Sequence, residues 1–281
     1  MGSLYVPMII ISNTFVFWGI LLYPGFYTCN NFLLMNLAVY DFLMGAFGIP
    51  MYILGYTEAT KQTINNNKYL CLLKFTSVTL AAGGSIQALL LISIDRYIAV
   101  LWPLRYNVLI TIEKAFKLLA IDAVFVFVVS MLPIFGWNNY DYSVQDVNLR
   151  CNYYTVLPLP YVVFCTIIFT YTCILSSAFL NIHIIGIVIR QAQTRRPCHT
   201  GEAIRQYRSR MMSVKITFVL MIIFILFWCP YLVIVPFKLR HVSALDTVEA
   251  NKTFALLIAF SNSSINAAIY AILREEYMEV Y

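Results

Sequence analysis

Charge is what this sequence has least of. Lys, Arg, Asp and Glu make up only 11% of its 281 residues, against 61% hydrophobic. A soluble domain carries about 25% charged residues, so there is too little charge here to cover a surface facing water, and a soluble globular protein is excluded. Histidine is as scarce: His183, His199 and His241 sit in separate parts of the chain, so no histidine cluster supports a metal or nucleophile centre in a membrane enzyme. The sequence has no internal repeat, low-complexity tract or linker. That speaks against a second domain and against the inverted repeats of a secondary transporter. The net charge of +6 then belongs to loops at a membrane surface, with no nucleic-acid partner implied.

Long apolar runs are plentiful. A helix needs about 20 apolar residues to cross the hydrocarbon core, and seven stretches qualify: roughly 4–23, 32–56, 71–101, 115–136, 157–190, 211–238 and 252–271. The first lacks a basic flank and a small-residue cleavage site and contains Asn13, so it reads as a mature helix rather than a signal peptide. Residues 1–281 are expected to form a single domain, an all-α membrane protein with a seven-transmembrane helix bundle and a short amphipathic C-terminal helix.

Basic residues set the orientation. Most of the 19 Lys and Arg residues, including Arg96, Arg105, Lys114, Lys117, Arg190 and Lys215, lie on the side that also holds the C-terminus. That side is expected to be cytoplasmic, with the N-terminus outside. Cys71 opens the third span and Cys151 lies in the loop 136–155, both on the outer side, where oxidising conditions make a disulfide between them plausible. Asn251 begins an Asn-Lys-Thr sequon on the same side, a weak candidate for glycosylation.

Several motifs fall in order on these spans. Asp95-Arg96-Tyr97 ends the third, and Phe224 to Pro230, with Trp228 between, lies in the sixth. Asn36 to Asp41 lies in the second and Asn266 to Tyr270 in the seventh. Together, over essentially the whole chain, they resemble the class A, rhodopsin-like G-protein-coupled receptors.

The resemblance implies a plasma-membrane receptor, not an enzyme, that binds a small extracellular ligand and activates a heterotrimeric G protein. Asp95 would restrain Arg96 at rest, and Arg96 would line the cavity that receives the G protein. Tyr97, Pro103, Leu104 and Tyr270 would share that coupling surface. A plainer reading of Asp95 and Arg96 is anchorage at the interface. Ile86, Phe224, Trp228, Pro230 and Asn266 would form the activation switch, in which proline breaks a backbone hydrogen bond and supplies a hinge.

Asp41 places a carboxylate in mid-membrane, where charge is costly and usually functional. Ser85, Asn262, Ser263 and Asn266 match positions that enclose an allosteric sodium ion in this family, and oxygen ligands suit a hard cation. No other cofactor is required. A protonated Asp41 in a water network is the alternative, and a transporter with Asp41 as its ion site is the reading from another class. Asp122, in the fourth span, has no role that the sequence suggests.

The chain also departs from the family. Ala123 replaces the fourth-span tryptophan, Ala267 follows Asn266 where proline is usual, Asn181 replaces an inner tyrosine, and the fifth span from Tyr161 has no proline. Arg210 occupies a place where many members carry an acid. Val78 stands where aminergic receptors have an aspartate, and Phe260 where opsins have their lysine, which argues against both classes. The nearest groups are the lysophospholipid, cannabinoid, melanocortin and adenosine receptors. The ligand pocket is expected to include Lys74, Val78, Trp228, Val235, Lys238 and Phe260, suited to an apolar or amphiphilic anionic ligand. An adenosine-like nucleoside is the alternative, although Val235 replaces the asparagine those receptors use.

Overall fold

The computed structural model describes residues 2–194, 201–240 and 245–273, with side chains described for 6–146, 148–191, 211–236 and 251–269. Within them the chain is helical, with no strand among the described residues. The first helix is Gly2–Leu22 and the second runs from Cys29 to Leu54. The third is Lys68–Leu101 and the fourth Ile112–Met131. The fifth joins Leu159–Val162, Val163–Phe169 and Thr170–Thr194. The sixth is Gly201–Arg240, and the seventh consists of Leu245–Phe260 and Asn262–Leu273.

Local chemistry sets these limits more sharply than hydropathy does. Thr28 starts the second helix by accepting the Asn31 N–H on its hydroxyl, and Asn67 starts the third by accepting from Tyr69 and Leu70. Each satisfies N–H groups that lack helical partners. Pro133 follows the end of the fourth helix, where it cannot continue the hydrogen-bond ladder. The sixth helix begins at Gly201, before the apolar run starts at 211, because the polar residues between are good helix formers that hydropathy overlooks. The short amphipathic C-terminal helix is expected after the seventh span, where residues 274–281 lie outside the described residues.

Four helices are long and apolar enough to cross a membrane by length and composition: Cys29–Leu54, Lys68–Leu101, Leu159–Gln191 and Met211–Pro236. The fourth is diluted by Glu113, Lys114, Lys117 and Asp122, and the seventh is interrupted at Ser261. The outward faces are largely apolar: Phe15, Trp18, Ile121, Val124, Phe179, Leu226 and Val233 are all exposed. Such a surface suits lipid contact, not water.

Two helices contain a wide π-turn, Met44–Gly48 in the second and Val163–Phe169 in the fifth. The second occurs although that helix has no proline beyond its first turn, so the bulge supplies an irregularity without one. The third helix is the hub, packed against the second, fourth, fifth and sixth. It packs against the Tyr40 ring of the second helix at Gly84, where an added Cβ would lie 2.1 Å from that ring. Only a residue without a side chain fits there.

Candidate functional site

At one end of the third helix, Asp95 and Arg96 are buried together. Arg96 donates through Nε to Asp95 Oδ2 at 2.9 Å and also through Nη2 to the same oxygen. Tyr106, in the short helix Tyr106–Leu109, donates its hydroxyl to Asp95 Oδ1 at 2.6 Å. Burial, followed by the Asp95 charge, pushes the Tyr106 phenol above its usual range, so it stays a donor. The carboxylate is thus held from two sides, and the guanidinium is turned onto it. Tyr97 meets His183 Nδ1 of the fifth helix at 3.1 Å. Pro103 is exposed beyond the helix end, and Leu104 is 97% exposed. The side chains of Tyr270 and Arg210 lie outside the described residues.

Halfway along the bundle, Asp41 is fully buried. Ser85 donates to its Oδ1 at 3.1 Å and Asn266 Nδ2 to its Oδ2 at 2.8 Å; the Ser263 hydroxyl belongs to the same network. Asn13 of the first helix donates to the Ser263 carbonyl at 3.0 Å. Among the described residues, Asn262 Oδ1 and Asn266 Oδ1 are buried acceptors without a donor. A buried acceptor of this kind is expected to have a partner. A carboxylate, two hydroxyls and two amide oxygens form a donor set that fits a hard cation or water. Asp122 accepts from the Tyr40 hydroxyl at 3.4 Å, which ties the fourth helix to the second.

Above this level, Val78, Ile86, Phe224 and Trp228 line one pocket of about 70 Å³. Phe224 and Trp228 are stacked, with ring centroids 5.6 Å apart. That is room for a few waters, far less than the ~300 Å³ at which small-molecule sites begin. Tyr153 of the long loop helps close it, with its hydroxyl 3.0 Å from Thr166. Pro230 and Pro236 lie inside the sixth helix. Val235 and Phe260 are buried but do not line this pocket; Phe260 packs edge-on against Tyr52 at 5.8 Å. The Lys238 side chain lies outside the described residues.

The far end carries the Cys71–Cys151 disulfide, with Cα atoms 5.8 Å apart. It fixes the loop across the bundle mouth. Cys29, Cys165, Cys173 and Cys229 are free thiols. Lys74, one turn inward of Cys71, lines a separate cavity of about 790 Å³. Asn251 is exposed within the helix Leu245–Phe260. Sequence reasoning missed Tyr106, Tyr153 and Lys252; Lys252 is buried over the Tyr153 and Tyr154 rings at 5.3 and 5.2 Å. Only the tyrosine pair following Cys151 hinted at the loop's role.

The arrangement joins a disulfide-pinned mouth, a buried polar centre and a restrained arginine along one helical bundle. Residues 12–270 match the family described as 7 transmembrane receptor (rhodopsin family). The chain belongs to that family. It is a G-protein-coupled receptor near the adenosine group, a multi-pass protein of the plasma membrane. It is similar to the adenosine receptor A2a of Homo sapiens, 25% identical over 293 residues, covering 97% of this chain and 68% of that protein. The A2a receptor of Canis lupus familiaris matches at 25% over 284 residues with the same coverage. The adenosine receptor A3 of Canis lupus familiaris matches at 25% over 276 residues, covering 97% of this chain and 85% of its own length.

Proposed function

We propose that this receptor answers a small extracellular ligand at the disulfide end and activates a heterotrimeric G protein at the Arg96 end, which faces the cytoplasm. The observation that carries the reading is the buried Asp95–Arg96 pair. A buried ion pair is expensive to break by removing one partner, yet a concerted movement of helices can open it and transfer the arginine to a new acceptor. Arg96 held by Asp95 and Tyr106 is the resting state of such a device. Asp95, Tyr97, Pro103, Leu104 and Tyr270 then frame the transducer cavity.

Ile86, Phe224 and Trp228 connect the two ends, since they line the deep pocket from the third and sixth helices. Movement of the sixth helix about Pro230 would carry a change at the pocket to the arginine. Asp41, Ser85, Asn262, Ser263 and Asn266 would hold a sodium ion. When bound, the ion supplies a positive charge that ties the second, third and seventh helices together in the resting arrangement. The two asparagine oxygens left without donors support that assignment.

A nucleoside ligand is the second reading, favoured by the names of the relatives. The fully buried Val235 offers no hydrogen bond to a purine, and this weighs against it.

The test is nucleotide exchange on purified heterotrimeric G proteins with the receptor in nanodiscs. Exchange that depends on the receptor and disappears in Arg96→Ala, with surface expression kept, is the expected result. Unchanged exchange from that variant would remove Arg96 from the mechanism.

A further inference from the structure

The loop before Cys151 contains the segment Trp137–Asp146, with Tyr140 and Tyr142 on either side of Asp141. The segment holds two carboxylates, Asp141 and Asp146, and no Lys or Arg, in a chain whose net charge is +6. Neither tyrosine lines the deep pocket.

The fold treats the two tyrosines differently. Tyr140 is half-buried, and its hydroxyl donates to the Asn65 carbonyl at 2.9 Å. Burial pushes its phenol above the usual range, with the Arg150 guanidinium acting in the opposite direction. That oxygen is already engaged. Tyr142 is 64% exposed and meets the Tyr140 ring edge-on, with centroids 5.0 Å apart. It sits in a turn that Asp141 organises by accepting the Ser143 N–H at 2.9 Å and the Ser143 hydroxyl. Asp141, Ser143, Gln145 and Asp146 are exposed as well, and residues 137–146 form neither helix nor strand. The Tyr142 phenol is thus a nucleophile presented on an irregular acidic loop, which an enzyme can reach without unfolding the bundle.

A phenol on the outer side of a membrane passes through the secretory compartments, where sulfotransferases esterify tyrosine from a nucleotide phosphosulfate. The phenol oxygen attacks the sulfur, and a new O–S bond forms. The bond from sulfur to the bridging phosphate oxygen breaks, and the nucleotide phosphate leaves. The phenol proton passes to a base of the transferase, and nothing is oxidised or reduced. An enzyme that binds so highly charged a donor has a positive cleft, which attracts acidic acceptor segments and repels basic ones.

We infer that Tyr142 is a site of tyrosine O-sulfation and that Tyr140 is not. The inference rests on the orientation proposed above, which puts the disulfide end outside. The ester adds a permanent negative charge beside Asp141, at the outer end of the bundle.

The experiment expresses the full chain in cultured vertebrate cells fed radioactive inorganic sulfate. A secreted protein known to carry sulfotyrosine, made in the same cells, shows that transferase and donor are present. Peptides spanning residues 138–149 of receptor from the cell surface should carry the label and the added mass of one sulfo group. Tyr142→Phe should abolish both, and Tyr140→Phe should leave them at the native level. Gln145→Cys reports the side of the membrane: a membrane-impermeant maleimide should modify it on intact cells. Absence of sulfate from these peptides, or sulfate that survives Tyr142→Phe, overturns the site. If Gln145→Cys is modified on intact cells in that case, the orientation stands and only this inference falls. If Gln145→Cys reacts only after permeabilisation, the orientation falls and takes the inference with it.

Discussion

The Asn181 amide of the fifth helix donates to the Ser93 hydroxyl of the third at 2.9 Å, and Ser93 in turn lies 2.7 Å from the Ser177 hydroxyl. The same amide donates to the Ser177 carbonyl and approaches the Met221 sulfur of the sixth helix. One buried side chain thus links three helices one turn from Arg96. In the sequence, Asn181 shows only as a missing tyrosine. In the fold it is a clasp between the third, fifth and sixth helices.

Asn181→Ala should loosen that clasp. Each buried hydrogen bond contributes about 1 kcal/mol net, enough to shift a two-state equilibrium roughly fivefold. Basal nucleotide exchange without agonist should rise by about that factor while surface expression is maintained. A basal rate equal to or below that of the unmodified receptor contradicts the clasp.

Tyr106→Phe tests the restraint on Arg96 without touching the ion pair. The lost bonds are the 2.6 Å donation to Asp95 Oδ1 and the donation that the same hydroxyl accepts from Arg96 Nη2 at 3.4 Å. Because burial keeps the phenol protonated well past its usual range, the native bond persists through physiological pH, and the difference between the two proteins should not depend on pH there. Basal exchange should rise a few-fold in the variant, and agonist affinity should rise with it, since the two are linked. An unaltered basal rate would show that Asp95 alone restrains the arginine.

Asp41 supplies the test of the ion. An ion that prefers the resting state lowers agonist affinity, and the coupling is reciprocal. Replacing sodium with a bulky organic cation at equal ionic strength should therefore raise agonist affinity. Asp41→Asn should abolish that difference, because the site loses its charge. Equal affinities in the two media, with Asp41 intact, mean that no sodium ion is coupled to activation.

Gly84 tests the packing of the second and third helices. Gly84→Ala forces a methyl into the Tyr40 ring, and overpacking of this kind costs about 1–3 kcal/mol. The thermal midpoint should fall, and adding Tyr40→Ala should recover part of the loss, an interaction that a double-mutant cycle isolates. A midpoint unchanged by Gly84→Ala would show that the helices can separate there at no cost.

The sequence by itself determined the membrane class, the helical bundle and the receptor family, because each rests on a property carried along the chain. Scarce charge, 11% of residues, leaves a surface that only lipid can cover, and the spacing of apolar runs follows from the thickness of a bilayer. The motif residues Asp95, Arg96, Asp41 and Trp228 were legible for the same reason: each lies at a fixed place within its own helix. What only the tertiary structure decided is how groups distant in sequence meet. Asp41 and Asn266 are 225 positions apart and share a hydrogen bond, and Asp122 of the fourth helix meets Tyr40 of the second, 82 positions away. Tyr153 closes the deep pocket, and Lys74 is held against Gly55 in the outer cavity. Hydropathy averages over every side chain in a span and cannot say which face of a helix turns inward or against what. That is settled when helices pack, since a buried polar group must find its partner on a neighbouring helix or remain unsatisfied.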